Sequence, residues 1–115
     1  MQEIEALKNF CLSLKGTTFD FPFGDNDICF RVGGKIYAIA DMTDVRVNLK
    51  ADPDEAARLR EAWPDQIRPG YHMNKKHWNT VELAAGLPHE LIAQMIERSY
   101  RLVFDGLPKK IRETI

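Results

Sequence analysis

The chain contains no apolar run approaching the ~18 residues a membrane-spanning helix requires, so no membrane partner is expected. Cysteine is scarce. Cys11 and Cys29 are the two present, and neither has a metal-binding or redox spacing. Each lies among apolar residues, which predicts small buried thiols rather than a disulfide and a reducing, cytoplasmic location. The opening residues Met1-Gln2-Glu3-Ile4-Glu5 carry neither the basic nor the apolar segment of a secretory signal, so none is expected. Gly-x-Ser-x-Gly, His-Glu-x-x-His and phosphate-cradling glycine-loop patterns are missing. The expectation is a protein that is not an enzyme, with no cofactor and no metal. Excess charge of one sign is also missing: the net charge is −1, whereas a strongly nucleic-acid-binding domain is usually basic overall.

What is present fits one globular unit. A chain of 115 residues is the size of a single domain, spanning 1–115, and buries roughly two-thirds of its unfolded surface. The 44% hydrophobic content is ordinary for such a fold. Charge is unevenly spread. Residues 1–65 have a balance of −4 and residues 66–115 a balance of +3. The sequence therefore allows a basic face on an acidic protein.

Periodicity sets the elements. Ile4, Leu7, Cys11 and Leu14 recur at helical spacing over residues 3–14, with Gly16 as the stop. Phe19, Phe21 and Phe23 alternate as on a strand, and Pro22 makes it an edge strand. Residues 28–32 and 36–40 read as a hairpin turned by Gly33-Gly34, pairing Phe30 with Tyr37, Ile28 with Ile39 and Arg31 with Ile36. Val45, Val47 and Leu49 alternate with Arg46, Asn48 and Lys50 as a further strand with a wet outer face. Asp52-Pro53-Asp54-Glu55 supplies an N-cap, a proline at the first helical position and a glutamate two residues later. That helix carries Ala56, Leu59 and Trp63 on one side and ends before Pro64. Residues 67–72 read as extended, interrupted by Pro69-Gly70, and residues 78–83 as the last strand. The longest helix runs from Pro88 to about Phe104 with Leu91, Ile92, Met95, Ile96, Ser99, Leu102 and Val103 as its apolar stripe. Gly106 ends it, and Pro108 starts a short terminal helix. The order is α-β-β-β-β-α-β-(β)-α-α: an α+β domain with a mainly antiparallel sheet.

The segment His72-Met73-Asn74-Lys75-Lys76-His77-Trp78 stands apart. Residues 66–80 hold Arg68, Lys75 and Lys76 and no acid. Burying unpaired ammonium groups costs several kcal/mol each, by rough estimate, so this is a surface segment. Lys75 and Lys76 suit phosphate neutralisation, and equally a solvated turn. Asn74 suits a phosphate or an adenine edge, and equally a left-handed turn position. Trp78 suits base stacking or a core anchor at a strand start. His72 and His77 lack a third metal ligand; hydrogen bonds that fix the turn suit them. Lys109 and Lys110, with Arg112, form a second basic cluster at a position where the helix dipole does not favour them. Asp25, Asp27, Asp41 and Asp44 near strand ends match turn chemistry and no Ca²⁺-loop pattern.

The run Tyr71-His72-Met73-Asn74-Lys75-Lys76-His77-Trp78-Asn79-Thr80-Val81 resembles the hallmark of the bacterial MmcQ/YjbR-like family. Phe21-Pro22-Phe23-Gly24, the Val32 to Ala38 hairpin, Val47-Asn48-Leu49-Lys50, Ser99-Tyr100, Leu102-Val103 and Leu107-Pro108-Lys109-Lys110 match it in the same order. The resemblance implies a compact α+β domain and a DNA-binding role. The expected nucleic-acid site is Arg68, His72, Asn74, Lys75, Lys76, His77, Trp78, Lys109 and Lys110, with DNA as partner. The alternative is a protein-interaction or chaperone-like adaptor with a protein partner. Its support is the acidic N-terminal half and the similarity of such small folds to secretion-chaperone and frataxin-type architectures.

Overall fold

The computed structural model describes residues 1–70 and 73–115. Among the described residues, six strands form one antiparallel sheet in the order β1-β2-β3-β4-β6-β5. They are β1 (Thr17–Asp20), β2 (Asp27–Val32), β3 (Lys35–Asp41), β4 (Arg46–Lys50), β5 (Ile67–Pro69) and β6 (Trp78–Glu82). The helices are α1 (Ile4–Ser13), α2 (Pro53–Ala62), α3 (His89–Asp105) and α4 (Lys109–Arg112). This is the α+β order expected, with the bracketed strand present as β5.

One sheet face is buried under helices. Ile28, Phe30 and Val32 of β2, Val47 and Leu49 of β4 and Val81 of β6 share the core with Leu7 and Cys11 of α1. From α3 come Ile92, Met95, Ile96, Tyr100 and Val103. Each fully buried aliphatic side chain contributes about 1.5–3 kcal/mol. Tyr100 is buried and Leu102 is exposed, so the α3 stripe is rotated towards Tyr100 relative to the sequence expectation. α2 is tied down through Asn79, which is buried and donates from Nδ2 to the Ala56 carbonyl at 3.2 Å. Arg60 Nη1 donates to Asn79 Oδ1 at 2.8 Å. Asp52 precedes α2 and Pro53 begins it, but the Asp52 side chain forms no cap hydrogen bond. The expected Glu55 partner role is replaced by an ion pair with Arg98 of α3.

Two strand expectations are corrected. β1 is an edge strand, as expected, but it ends at Asp20. Phe21 and Phe23 lie beyond it, and the Gly24 N–H turns back to the Phe21 carbonyl at 3.4 Å. All three phenylalanines are exposed. In the hairpin, Gly33 and Gly34 both have positive φ, 57° and 81°, as a tight primed turn demands. Arg31 faces Ile36 as expected, yet Phe30 pairs with Ala38, Cys29 with Ile39 and Ile28 with Ala40. A β-bulge between Phe30 and Arg31 shifts the register by one residue. The extra residue is Tyr37, whose ring is fully buried against Tyr100 with centroids 5.3 Å apart.

Candidate nucleic-acid interface

The register fixes which charges share an end of the sheet. Thr17 lies opposite Val32, Leu49 opposite Ala38, Lys50 opposite Trp78 and Pro69 opposite Asn79. The Gly33-Gly34 turn, the end of β4 and the Lys75–His77 turn therefore sit at the same end. α4 docks there too: a Cβ on Gly33 would meet Leu107 Cδ1 at 2.5 Å and Ile111 Cγ2 at 3.2 Å. Lys35, Lys50, Lys75, Lys76, Lys109 and Lys110 thus lie at the same end of the sheet, carried by four separate segments. Asp52 and Asp54 at the start of α2, with Asp105 and Glu113, temper this end. Lys35 and Lys50 were not singled out by the sequence; they lie 15 residues apart, and only strand pairing brings them together. They line a cleft of about 300 Å³ with Ile36, Leu102, Val103, Gly106 and Leu107. The last turn of α3 has no base of its own, so part of their field compensates the helix carbonyls.

The turn itself is built by Asn74. Its carbonyl accepts from the His77 and Trp78 N–H groups at 3.1 and 2.9 Å, and its Oδ1 accepts from the Lys76 N–H at 3.0 Å. Asn74 is thus occupied in holding the turn. The His77 carbonyl accepts from the Ala51 N–H at 2.7 Å, pinning the turn to the end of β4. Arg60 Nη1 reaches the Lys75 carbonyl at 3.4 Å. The Lys75 and Lys76 side chains are exposed, and neither is in an ion pair among the described residues. His72 and Tyr71 lie outside the described residues. His77 is half-buried, and no metal cluster occurs among the described residues.

Trp78 is half-buried and sits outside the main core cluster. Alternation along β6 turns Asn79 and Val81 to the helices and Trp78, Thr80 and Glu82 to the face without helices. Trp63, not Trp78, packs on the core. The core-anchor option for Trp78 is therefore set aside. Gly70 is required beside it. Its N–H donates to the Trp78 carbonyl at 2.8 Å, and a Cβ there would lie 2.9 Å from Trp78 Cβ.

Arg68 is diverted from the basic patch, because its Nη2 pairs with Glu82 Oε1 at 2.8 Å. Lys109 Nζ stands 3.9 Å from Glu113 Oε1 in a solvent-exposed pair, a contact of little strength. Lys110 is exposed. Arg98 is held by Glu55, and the Arg101 guanidinium lies 5.3 Å from the Phe104 ring centroid.

The opposite end of the sheet is acidic, with Asp25, Asp27, Asp41, Asp44 and Glu82. Asp41 is a turn former, as expected. Its Oδ1 accepts from the Asp44 and Thr43 N–H groups and from Asn26 Nδ2, each at 3.0 Å. The Asp44 amide is the main cause of a carboxyl held below its usual range. The Asn26 and Thr43 amides and the nearby Arg46 charge add to this, against partial burial. Both cysteines are buried and free. Burial pushes the Cys11 thiol up to about 12, offset in part by Tyr37. Burial, reinforced by the Asp20 charge, pushes Cys29 up to about 11.

Comparison with known proteins places this architecture. The YjbR family model matches residues 12–102. The uncharacterized protein YbdF of Escherichia coli O157:H7 is 35% identical over 115 residues, covering 96% of this chain and 92% of that one. The uncharacterized protein YjbR of Escherichia coli K12 is 29% identical, covering 97% and 96%. The crystal structure of Deinococcus radiodurans protein DR2400, with its DUF419 domain, superposes with a TM-score of 0.92 at 40% identity, over 99% of this chain and 88% of that one. A Pseudomonas syringae protein superposes with a TM-score of 0.71 at 25% identity, over 88% and 98%. With the family model spanning most of its length and the same six-stranded fold in DR2400, this chain belongs to the YjbR family.

Proposed function

We propose that this protein binds nucleic acid, DNA foremost, through the basic end of its sheet and without catalysis. The observation that carries this reading is the placement of Lys75 and Lys76 at the same end of the sheet as Lys35, Lys50, Lys109 and Lys110, in a molecule whose net charge is −1. Charge gathered in this way creates a local positive field despite net acidity. Lys75 and Lys76 contact phosphates, and Lys109 and Lys110 extend the track. Trp78, half-buried beside the turn, offers a ring edge to a base or sugar. Arg68 and Asn74 support the turn and strand rather than the ligand.

Fluorescence anisotropy with labelled duplex and single-stranded DNA, titrated with salt, tests this reading. Affinity should fall with salt, and the Lys75→Ala/Lys76→Ala double variant should flatten the log–log slope by roughly 1.8 for duplex, at ~0.9 per phosphate contact. Absence of binding at low salt, where electrostatics is strongest, would overturn it.

One observation favours a second reading. Leu12, Phe19, Phe21 and Phe23 are all exposed on or near β1, and clustered exposed apolar groups mark protein-interaction sites. Under the adaptor reading, DNA binding is absent, and capture of a protein partner depends on Phe19 and Phe21.

A further inference from the structure

The sheet face without helices carries a second feature, running from the acidic end to the middle of the sheet, with Met73 from the segment before the lysine turn on its wall. A cleft of about 460 Å³ lies between Phe23 and Met73, over Ile39, Asn48 and Thr80, with Asp27, Asp41 and Arg46 on its rim. Small-molecule sites occupy about 300–1,000 Å³, mostly apolar with a few convergent polar groups. This cleft has that make-up. Ile39 is on its floor because the β-bulge places it opposite Cys29 and Asn48, away from the helices.

The electrostatics select the ligand. Asp27 and Asp41 lie directly opposite each other on β2 and β3, and like charges so placed destabilise a sheet. Asp41 Oδ1 is committed to the turn. The Asp27 carboxylate has no hydrogen-bond or ion-pair partner among the described residues. The neighbouring cation, Arg46, is shared between Asp44 at 3.4 Å and Glu82 at 3.5 Å, and Glu82 is also bound to Arg68. Arg46 lies opposite Asp41 across β3 and β4 and offsets its charge, so the unpaired Asp27 carboxylate is the one that a further cation would neutralise. An apolar body on that cation would cover Ile39 and Met73 and set it near the Phe23 ring, 63% exposed, where cation–π attraction adds to the charge pairing.

We infer that this cleft binds a small organic cation, an ammonium or guanidinium carried on an apolar or aromatic body, with Asp27 as its counter-ion. The site is independent of the nucleic-acid reading: its carboxylates lie at the acidic end of the sheet, and it takes ligands of opposite charge.

The test is ¹H–¹⁵N NMR titration of the full chain with phenethylamine and, as its anionic counterpart, phenylacetate. Phenethylamine should produce saturable shifts centred on Asp27, Ile39, Asp41, Asn48 and Thr80, with a dissociation constant on the order of 1 mM, as suits a ligand of so few atoms. Phenylacetate should produce none. Asp27→Asn should weaken binding at least fivefold, and Phe23→Ala, a change at an exposed side chain that leaves the core intact, should weaken it measurably. Lys75→Ala/Lys76→Ala should leave it unchanged, so this inference and the nucleic-acid reading stand or fall separately. No saturable shift, equal response to phenylacetate, or full affinity in Asp27→Asn would each overturn it.

Discussion

Phe30 pairs with Ala38, and Tyr37 is thereby displaced from the ladder, sending its hydroxyl 3.3 Å to the carbonyl of Cys11. The Thr17 hydroxyl lies 3.0 Å from the Tyr37 hydroxyl oxygen, so one phenol ties β3 to both α1 and β1. Tyr37→Phe keeps the ring packing and removes both bonds. The expected loss is about 1–2 kcal/mol, read as a lower urea midpoint at unchanged m-value. A midpoint equal to that of the parent protein would show that the bonds contribute nothing net.

Gly70 and Trp78 approach so closely that no side chain fits between them. Gly70→Ala would place Cβ 3.1 Å from the Trp78 carbonyl oxygen, forcing β5 away from β6. A loss of about 1–3 kcal/mol is expected. Faster amide exchange should appear at Gly70 and Glu82, whose N–H groups donate across the pair to the Trp78 and Gln66 carbonyls, while the β2–β3 hairpin stays protected. Uniform loss of protection would show that β5 is not a separable edge.

Asp41 couples stability to pH. Its folded-state value is depressed, so its contribution is fully present above the unfolded carboxyl value. It is lost as pH falls through the lower folded value. Asp41→Ala should destabilise the protein at neutral pH and narrow the gap between its stability and that of the parent under strongly acidic conditions. Urea midpoints measured across the acid range decide this; a gap that does not depend on pH would assign the loss to something other than the carboxylate.

Cys11 and Cys29 should be chemically silent in the folded protein. The thiolate is the reactive form, and burial holds both thiols up, at about 12 and about 11. Stability from the neutral thiols is present below the unfolded value and declines as pH rises past it towards the folded values. At mildly alkaline pH, Ellman's reagent should modify neither thiol on the timescale of seconds in native buffer, and both after denaturation. Rapid native labelling of either would contradict its burial.

Among the arginines and lysines, Arg68 is separable from the set proposed to contact phosphate. Arg68→Ala should leave the salt slope of DNA binding unchanged, because its charge is already paired with Glu82. Lys109→Ala/Lys110→Ala should flatten the slope by up to roughly 1.8. The reverse pattern would move the interface from the sheet end to the β5–β6 edge.

Local chemistry in the sequence was enough to specify the helices, the Gly33-Gly34 turn, the buried cysteines and the α+β order. Helical and strand periodicity, glycine at positive φ and proline at helix starts act within a few residues, so the chain carries them in plain order. Tertiary structure decided what depends on distant partners. The bulge that expels Tyr37 and turns Ile39 to the face without helices has no local signature, because register follows the packing of a strand against its neighbours and against α3. Phe21 and Phe23 alternate like strand residues, yet pairing stops at Asp20, and only the ladder records that. The basic surface divides in the same way. Lys75 and Lys76 were legible as a basic run, whereas Lys35 and Lys50 joined them only through strand pairing, and Arg68 left them through its bond to Glu82. Charge at a distance along the chain becomes charge at one site only when the sheet brings its strand ends together.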